Sequence, residues 1–299
     1  MRVPGFQALH PRTPLLVLLA AVLAATVAPV QSQTAIPHRI VSLVPAVTEM
    51  LFAMGAGRGV VGVSSYDAFP AEARALPKVG ALVDPDFERI LTLRPNLVVV
   101  YGSQDELIGR LARARIATFR YRHAGLADIT ATIRELGDRV GRADEAHRLA
   151  RGIEGEIDAI RRVVGKERRP STLLILVREP GTLRGLYASA AVGFMHDMLI
   201  AAGGADVLQD VARENLQVSV EVLLARAPEV IVEVYPSGGW TPERIARERA
   251  VWAALPALPA VRSGRIHILA DDRLLIPGPR VAEAIRLLAE TLHPKVRAR

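Results

Sequence analysis

The residue types that could do chemistry in this 299-residue chain are few and dispersed. There is no cysteine, which excludes disulfides, thiolate metal sites, a cysteine nucleophile and a lipid-bearing N-terminal cysteine. The seven histidines stand at positions 10, 38, 123, 147, 196, 267 and 293. No two are close enough for a helix- or strand-spaced pair of ligands, so no metal site is expected; His123 and His267 could each act as an isolated ligand, but a surface or buried polar role is the favoured reading. There is no Gly-x-Ser-x-Gly nucleophile elbow. Asp84 and Asp86 read as a turn and helix cap ahead of Glu88. Gly57-Arg58-Gly59-Val60-Val61-Gly62 spells the dinucleotide fingerprint, but that fingerprint needs a strand before it and a helix after it. Here the order is reversed, and the glycines end a helix and make a turn. What remains is a set of loops that follow apolar runs. They are Pro45-Ala46-Val47, Ser64-Ser65-Tyr66-Asp67, Tyr101-Gly102-Ser103, Tyr187-Ala188-Ser189, and Asp271-Asp272-Arg273 ahead of Gly278-Pro279-Arg280. Ligands of open α/β sheets bind beyond the carboxyl ends of the strands, so the chemistry expected is capture of a small molecule in a cleft. An exported α/β enzyme using scattered acids such as Asp272 is the alternative, and no catalytic motif asks for it.

The elements that must position these loops alternate. Strands are expected over 40–44, 59–63, 97–101 and 116–119, with helices over 48–54, 88–93, 107–115 and 129–140 between and after them. The strands are nearly all apolar, as in parallel sheets covered on both faces. Over 143–168 apolar residues recur every three or four positions (Ala146, Leu149, Ile153, Ile157, Ile160, Val164), which predicts one long helix despite Gly152 and Gly155. Alternation resumes with strands over 173–177, 231–234 and 266–269 and a closing helix over 281–292. The segment from Glu88 through Pro95 to Val99 is echoed from Glu221 through Pro228 to Val232 at a constant offset of 133 residues. The fold class expected is α/β: two Rossmann-like lobes with parallel sheets bridged by one long helix. The division is 34–141 for the first lobe, 142–169 for the bridge and 170–299 for the second.

Half of the residues are hydrophobic, and the formal charge is +7. Only Lys78, Lys166 and Lys295 are lysines; the other basic residues are arginines scattered among acids, unlike the one-sided patch of a nucleic-acid binder. Arg2 and Arg12, an apolar run of about 14 residues over 15–28, and small and polar residues after it make residues 1–33 a cleaved signal peptide. A bilayer-spanning helix needs about 20 residues. A soluble, exported protein is expected.

Three segments then carry a resemblance: Arg39-Ile-Val-Ser-Leu-Val-Pro-Ala-Val-Thr-Glu49, Val61-Gly-Val-Ser-Ser-Tyr66, and Phe87-Glu88-Arg-Ile-Leu-Thr-Leu-Arg-Pro95-Asn-Leu-Val-Val-Val100. With Ala202-Gly203-Gly204-Ala205 and Gly278-Pro279-Arg280 following in order, the sequence resembles the periplasmic substrate-binding proteins of ABC importers for vitamin B12, haem and ferric siderophores. The likeness is greatest to the vitamin B12-binding members. It implies a periplasmic, monomeric cobalamin receptor, without catalysis or resident cofactor, whose cargo is a corrinoid or another tetrapyrrole or iron chelate. It also implies ligand contacts near Pro45, Tyr66, Leu82, Tyr101, Tyr187, Leu216, Asp272 and Arg273, and docking of Glu88 and Glu221 onto a permease dimer. Leu82 and Leu216 stand where the best-known vitamin B12 binder carries tryptophans, and Tyr187 where it carries phenylalanine. For haem, Tyr66, Tyr101 or Tyr187 could serve as axial ligand. For a siderophore, Arg273 or Arg280 could supply positive charge.

Overall fold

The β-branched runs form strands, and the central strands of each sheet are buried on both faces. In the first half β1 (Ile40–Ser42), β2 (Val60–Val63), β3 (Leu97–Tyr101) and β4 (Ala117–Tyr121) make one sheet, ordered β2-β1-β3-β4, with every pairing parallel. In the second half β5 (Ser171–Val177), β6 (Tyr187–Ser189), β7 (Ala205–Asp206), β8 (Asn215–Gln217), β9 (Val230–Tyr235) and β10 (Ile266–Ala270) make another. Its path is β10-β9-β5-β6-β8, with β7 alongside β5. β9 pairs in parallel with both β5 and β10, whereas β6 pairs antiparallel with β5 and β8. This computed structural model describes residues 36–295 together with Met1, so the signal peptide expected over 1–33 lies, but for Met1, outside the described residues. Among the described residues no helix is long and apolar enough to cross a membrane.

The echo of 133 residues is structural. Asp86 caps the helix Phe87–Thr92 by accepting from the Arg89 amide at 2.9 Å, and Ser219 caps Val220–Arg226 by accepting from the Val222 amide at 3.4 Å. Each helix is followed by a non-glycine residue in the left-handed region, Arg94 (φ 47°) and Ala227 (φ 46°), then by proline, then by β3 or β9. The left-handed turn ends the helix and the proline forbids its resumption.

The helix Ala143–Val164 has 22 residues, about 33 Å at 1.5 Å per residue. It ends at Val164, short of 168, because the chain must turn before Pro170 to start β5 at Ser171. Its apolar face (Ala146, Ala150, Ile153, Ile157, Ile160, Val164) lies in a buried cluster that takes residues from both sheets. It packs on the first-half helix Leu126–Arg139 and the second-half helix Val281–Leu292. A Cβ on Gly137 would stand 2.2 Å from the Cβ of Ala146, so glycine there permits the closest approach of the first pair. Gly152 and Gly155 face open space.

β10 carries a buried liability. His267 Nε2 has no hydrogen-bond partner, and burial, aided by Arg265 and Arg249, lowers the affinity of the ring for a proton. The folded pKa is below the unfolded 6.5, so the unfolded chain takes up the proton first and stability falls as pH drops below about 6.5. His267→Leu is therefore expected to raise stability at pH 7 by about 1 kcal/mol, the order of an unpaired buried group. It should also flatten the acid side of the profile. Urea midpoints of both proteins at pH 7.5 and pH 5.5 check this; an identical acid slope in the variant would contradict it.

Candidate functional site

Parallel packing points the carboxyl ends of both sheets at one place. A cavity of about 540 Å³ is lined there by residues at or just past the ends of β1 (Leu43 to Ala46), β2 (Ser64, Tyr66), β3 (Tyr101), β4 (Tyr121, His123) and β5 (Leu176), and by Leu275 to Pro277 beyond β10. Phe194 and Met195, which open the helix Phe194–Ala201, and Glu214 complete the wall. No arginine or lysine lines it. Tyr66 is 72% exposed and Leu82 39%, which places them at the mouth.

One wall is a run of rings. Tyr101 meets Tyr121 edge-on at 5.9 Å between centroids, Tyr121 stacks on His123 at 6.3 Å, and His123 meets Phe194 edge-on at 5.3 Å. The run crosses from the first lobe to the second. Burial raises the pKa of both tyrosines, so their hydroxyls remain neutral phenols. Burial lowers that of His123 against the opposing pull of Glu214 and Asp128. The His123 ring is reached by solvent through the open cavity, yet enough protein surrounds it to disfavour the imidazolium.

Two polar ties join the lobes at this level. Arg280 grips the buried Glu49 in a bidentate pair, Nε to Oε2 at 2.8 Å and NH2 to Oε1 at 2.5 Å, and stacks over Phe69 at 4.0 Å. On the other flank the Leu126 amide donates to the Asp197 carboxylate at 3.0 Å. Arg280 is thus engaged across the lobes rather than free for a siderophore.

Of the expected contacts, Pro45, Tyr66, Leu82 and Tyr101 line the cavity, while Tyr187, Leu216, Asp272 and Arg273 do not. Tyr187 belongs to β6, a strand and not a loop, where its neighbours Ala188 and Ser189 are buried in the sheet. Leu216 in β8 packs against the second lobe's outer core. Asp272 accepts from the Ser237 amide at 3.0 Å and the Ser237 hydroxyl at 2.5 Å. Arg273 is held by Asp271 at 2.6 Å and Glu283 at 2.9 Å. Tyr121, His123, Phe194 and Glu214 are not among the expected contacts, although His123 is singled out in the sequence as a histidine that could act as an isolated ligand. The signal for the first two was present: Phe119 and Tyr121 alternate with exposed Arg120, so the strand runs two residues past the end expected at 119 and delivers His123 to the cleft. Glu88 and Glu221 lie apart from the cavity, exposed at the second position of their helices. Glu88 stands 3.9 Å from Arg110 and shares a surface recess with Ser65, and the carboxyl of Glu221 is held low by the Ser219 hydroxyl.

A family model described as periplasmic binding protein matches residues 40–272. The chain belongs to that family. This periplasmic binding protein is 27% identical over 260 residues to the vitamin B12-binding protein of Pectobacterium carotovorum, covering 86% of this chain and 89% of that one. Among solved structures, the periplasmic vitamin B12-binding protein BtuF of Vibrio cholerae is similar with TM-score 0.73 and 23% identity, over 88% of this chain and 99% of that one. The periplasmic heme-binding protein RhuT from Roseiflexus sp. RS-1 is similar with TM-score 0.72 and 26% identity, over 87% and 99%.

Proposed function

We propose that this periplasmic binding protein is an exported receptor that holds a corrinoid, cobalamin, between its lobes and hands it unchanged to the permease of an ABC importer. The observation that carries the choice of cargo is the cavity wall: mostly aromatic and aliphatic, with Ser64, His123 and Glu214 and without arginine or lysine. A corrin ring with an amide-bearing periphery suits such a wall. The carboxylates of haem, or an anionic ferric siderophore, would be desolvated there without a positive partner. The relatives named for vitamin B12 support the same reading. The apolar run over 15–28 supports export. Haem is the second reading, favoured by His123, Tyr66 and Tyr101 as donors at the cavity.

Glu88 and Glu221 are proposed as the docking charges. They are equivalent residues of equivalent capped helices, one on each lobe, suited to a permease built of two like halves.

Titrating the purified chain with cyanocobalamin, haemin and a ferric siderophore, followed by quenching of tryptophan fluorescence and calorimetry, tests the cargo. Saturable one-to-one binding of cyanocobalamin, with the others at least tenfold weaker, is expected. Tight haemin or siderophore binding without cobalamin binding would overturn it, and binding of none with acid-dependent hydrolysis would favour an enzyme.

A further inference from the structure

We propose that His123 is a direct ligand for the metal of the cargo, its Nε2 taking the exchangeable axial position of a metallo-tetrapyrrole seated in the cavity. The inference rests on the tetrapyrrole reading given above and adds a bond to it.

Three observations carry it. His123 lines the cavity, at the end of β4 where the sheet delivers it. Its Nδ1 lies 3.3 Å from the Tyr121 hydroxyl, and among the described residues no hydrogen bond engages Nε2. A ligating imidazole characteristically has its other nitrogen held by a second group that fixes tautomer and ring plane. With Nδ1–H donated to the Tyr121 oxygen, the Nε2 lone pair is the one left for a metal. The ring is also fixed by packing, stacked at 19° on Tyr121 and edge-on at 70° to Phe194. Isolated in sequence from every other histidine, His123 has the position of a single axial donor and not of a chelating set.

The step is a ligand exchange without redox change. The Nε2 lone pair forms a bond to the metal, the bond from metal to axial water breaks, and that water leaves for solvent. The chemistry selects cargo. A corrinoid or haem with water at one axial site can exchange it. Cyanocobalamin, with both axial positions filled by firmly held ligands, has none to give, and a ferric siderophore saturated by its own oxygens has none either.

Absorption spectroscopy on the full chain reads the bond. Aquocobalamin bound to the parent protein is expected to show shifted visible bands, and haemin a shifted Soret band, whereas bound cyanocobalamin keeps the spectrum it has in buffer. His123→Ala should abolish the shifts and weaken aquocobalamin at least tenfold more than it weakens cyanocobalamin, and a urea midpoint equal to that of the parent shows that the variant is folded. Free imidazole should restore the shifts in His123→Gly. Tyr121→Phe, which removes the group that orients the ring, should weaken aquocobalamin by less than His123→Ala does and leave a smaller spectral shift than the parent shows. Binding of aquocobalamin or haemin by the parent with shifts that persist in His123→Ala, or with no shift at all, would overturn the coordination and leave the receptor reading intact. Failure of the parent to bind any tetrapyrrole would overturn both.

Discussion

Glu233→Ala is expected to cost about 3–5 kcal/mol, the range for removing one partner of a buried ion pair. Glu233 sits on β9 with no exposed surface. Its carboxylate accepts from Arg178 Nε at 3.0 Å, Trp252 Nε1 at 2.6 Å and the Tyr235 hydroxyl at 2.7 Å. Alanine would leave the indole N–H and the phenol unpaired and the guanidinium with Glu248 alone, at 2.8 Å, as a charged partner. The Arg178 side chain is fully buried and cannot turn to water. A domain stable by about 5–15 kcal/mol loses about a fifth or more of its margin by such a change. Glu233→Gln, which keeps an acceptor of the same shape, should cost less than alanine. Urea unfolding of the three proteins decides it; equal midpoints for parent and alanine variant would show that the network relaxes without penalty.

The second large effect concerns delivery. Glu88→Ala together with Glu221→Ala should abolish uptake by cells carrying the importer, while cargo affinity in solution stays within twofold. The affinity should hold because neither residue lines the cavity. The single changes should each reduce uptake, and by comparable amounts, since the two helices share cap, length class and exit turn. Losing one partner of a charge pair buried at an interface costs about 2–5 kcal/mol, and losing both removes the two-point fit. Uptake unaffected in the double variant would show that the permease grips another surface.

Element types were legible in the sequence because burial on both faces leaves strands as unbroken apolar runs, and the long helix announces itself by spacing. The doubled architecture was legible through Glu88, Pro95, Glu221 and Pro228. The echo extends into features that sequence text does not display, the caps at Asp86 and Ser219 and the left-handed Arg94 and Ala227. The cleft was half legible. Loops after β1, β2 and β3 were found because their strands were found. The wall from β4 was lost because an exposed Arg120 interrupts the run of apolar residues. The wall from the second lobe was misassigned because β6 and β8 are only three residues long, too short for any periodicity to show. Polar residues near the cleft also misled: Asp272, Arg273 and Arg280 are all occupied by partners whose proximity only the folded chain reveals.

The helix Ala143–Val164 has a thermodynamic consequence beyond spacing the halves. Its apolar face is part of a core that includes Val47 and Ile133 from one half and Met198 and Ile285 from the other. Neither half can melt without exposing surface that belongs to both. Two lobes of such separate topology are thereby made one cooperative unit, and damage anywhere in the shared interior is felt as a lowered transition of the whole.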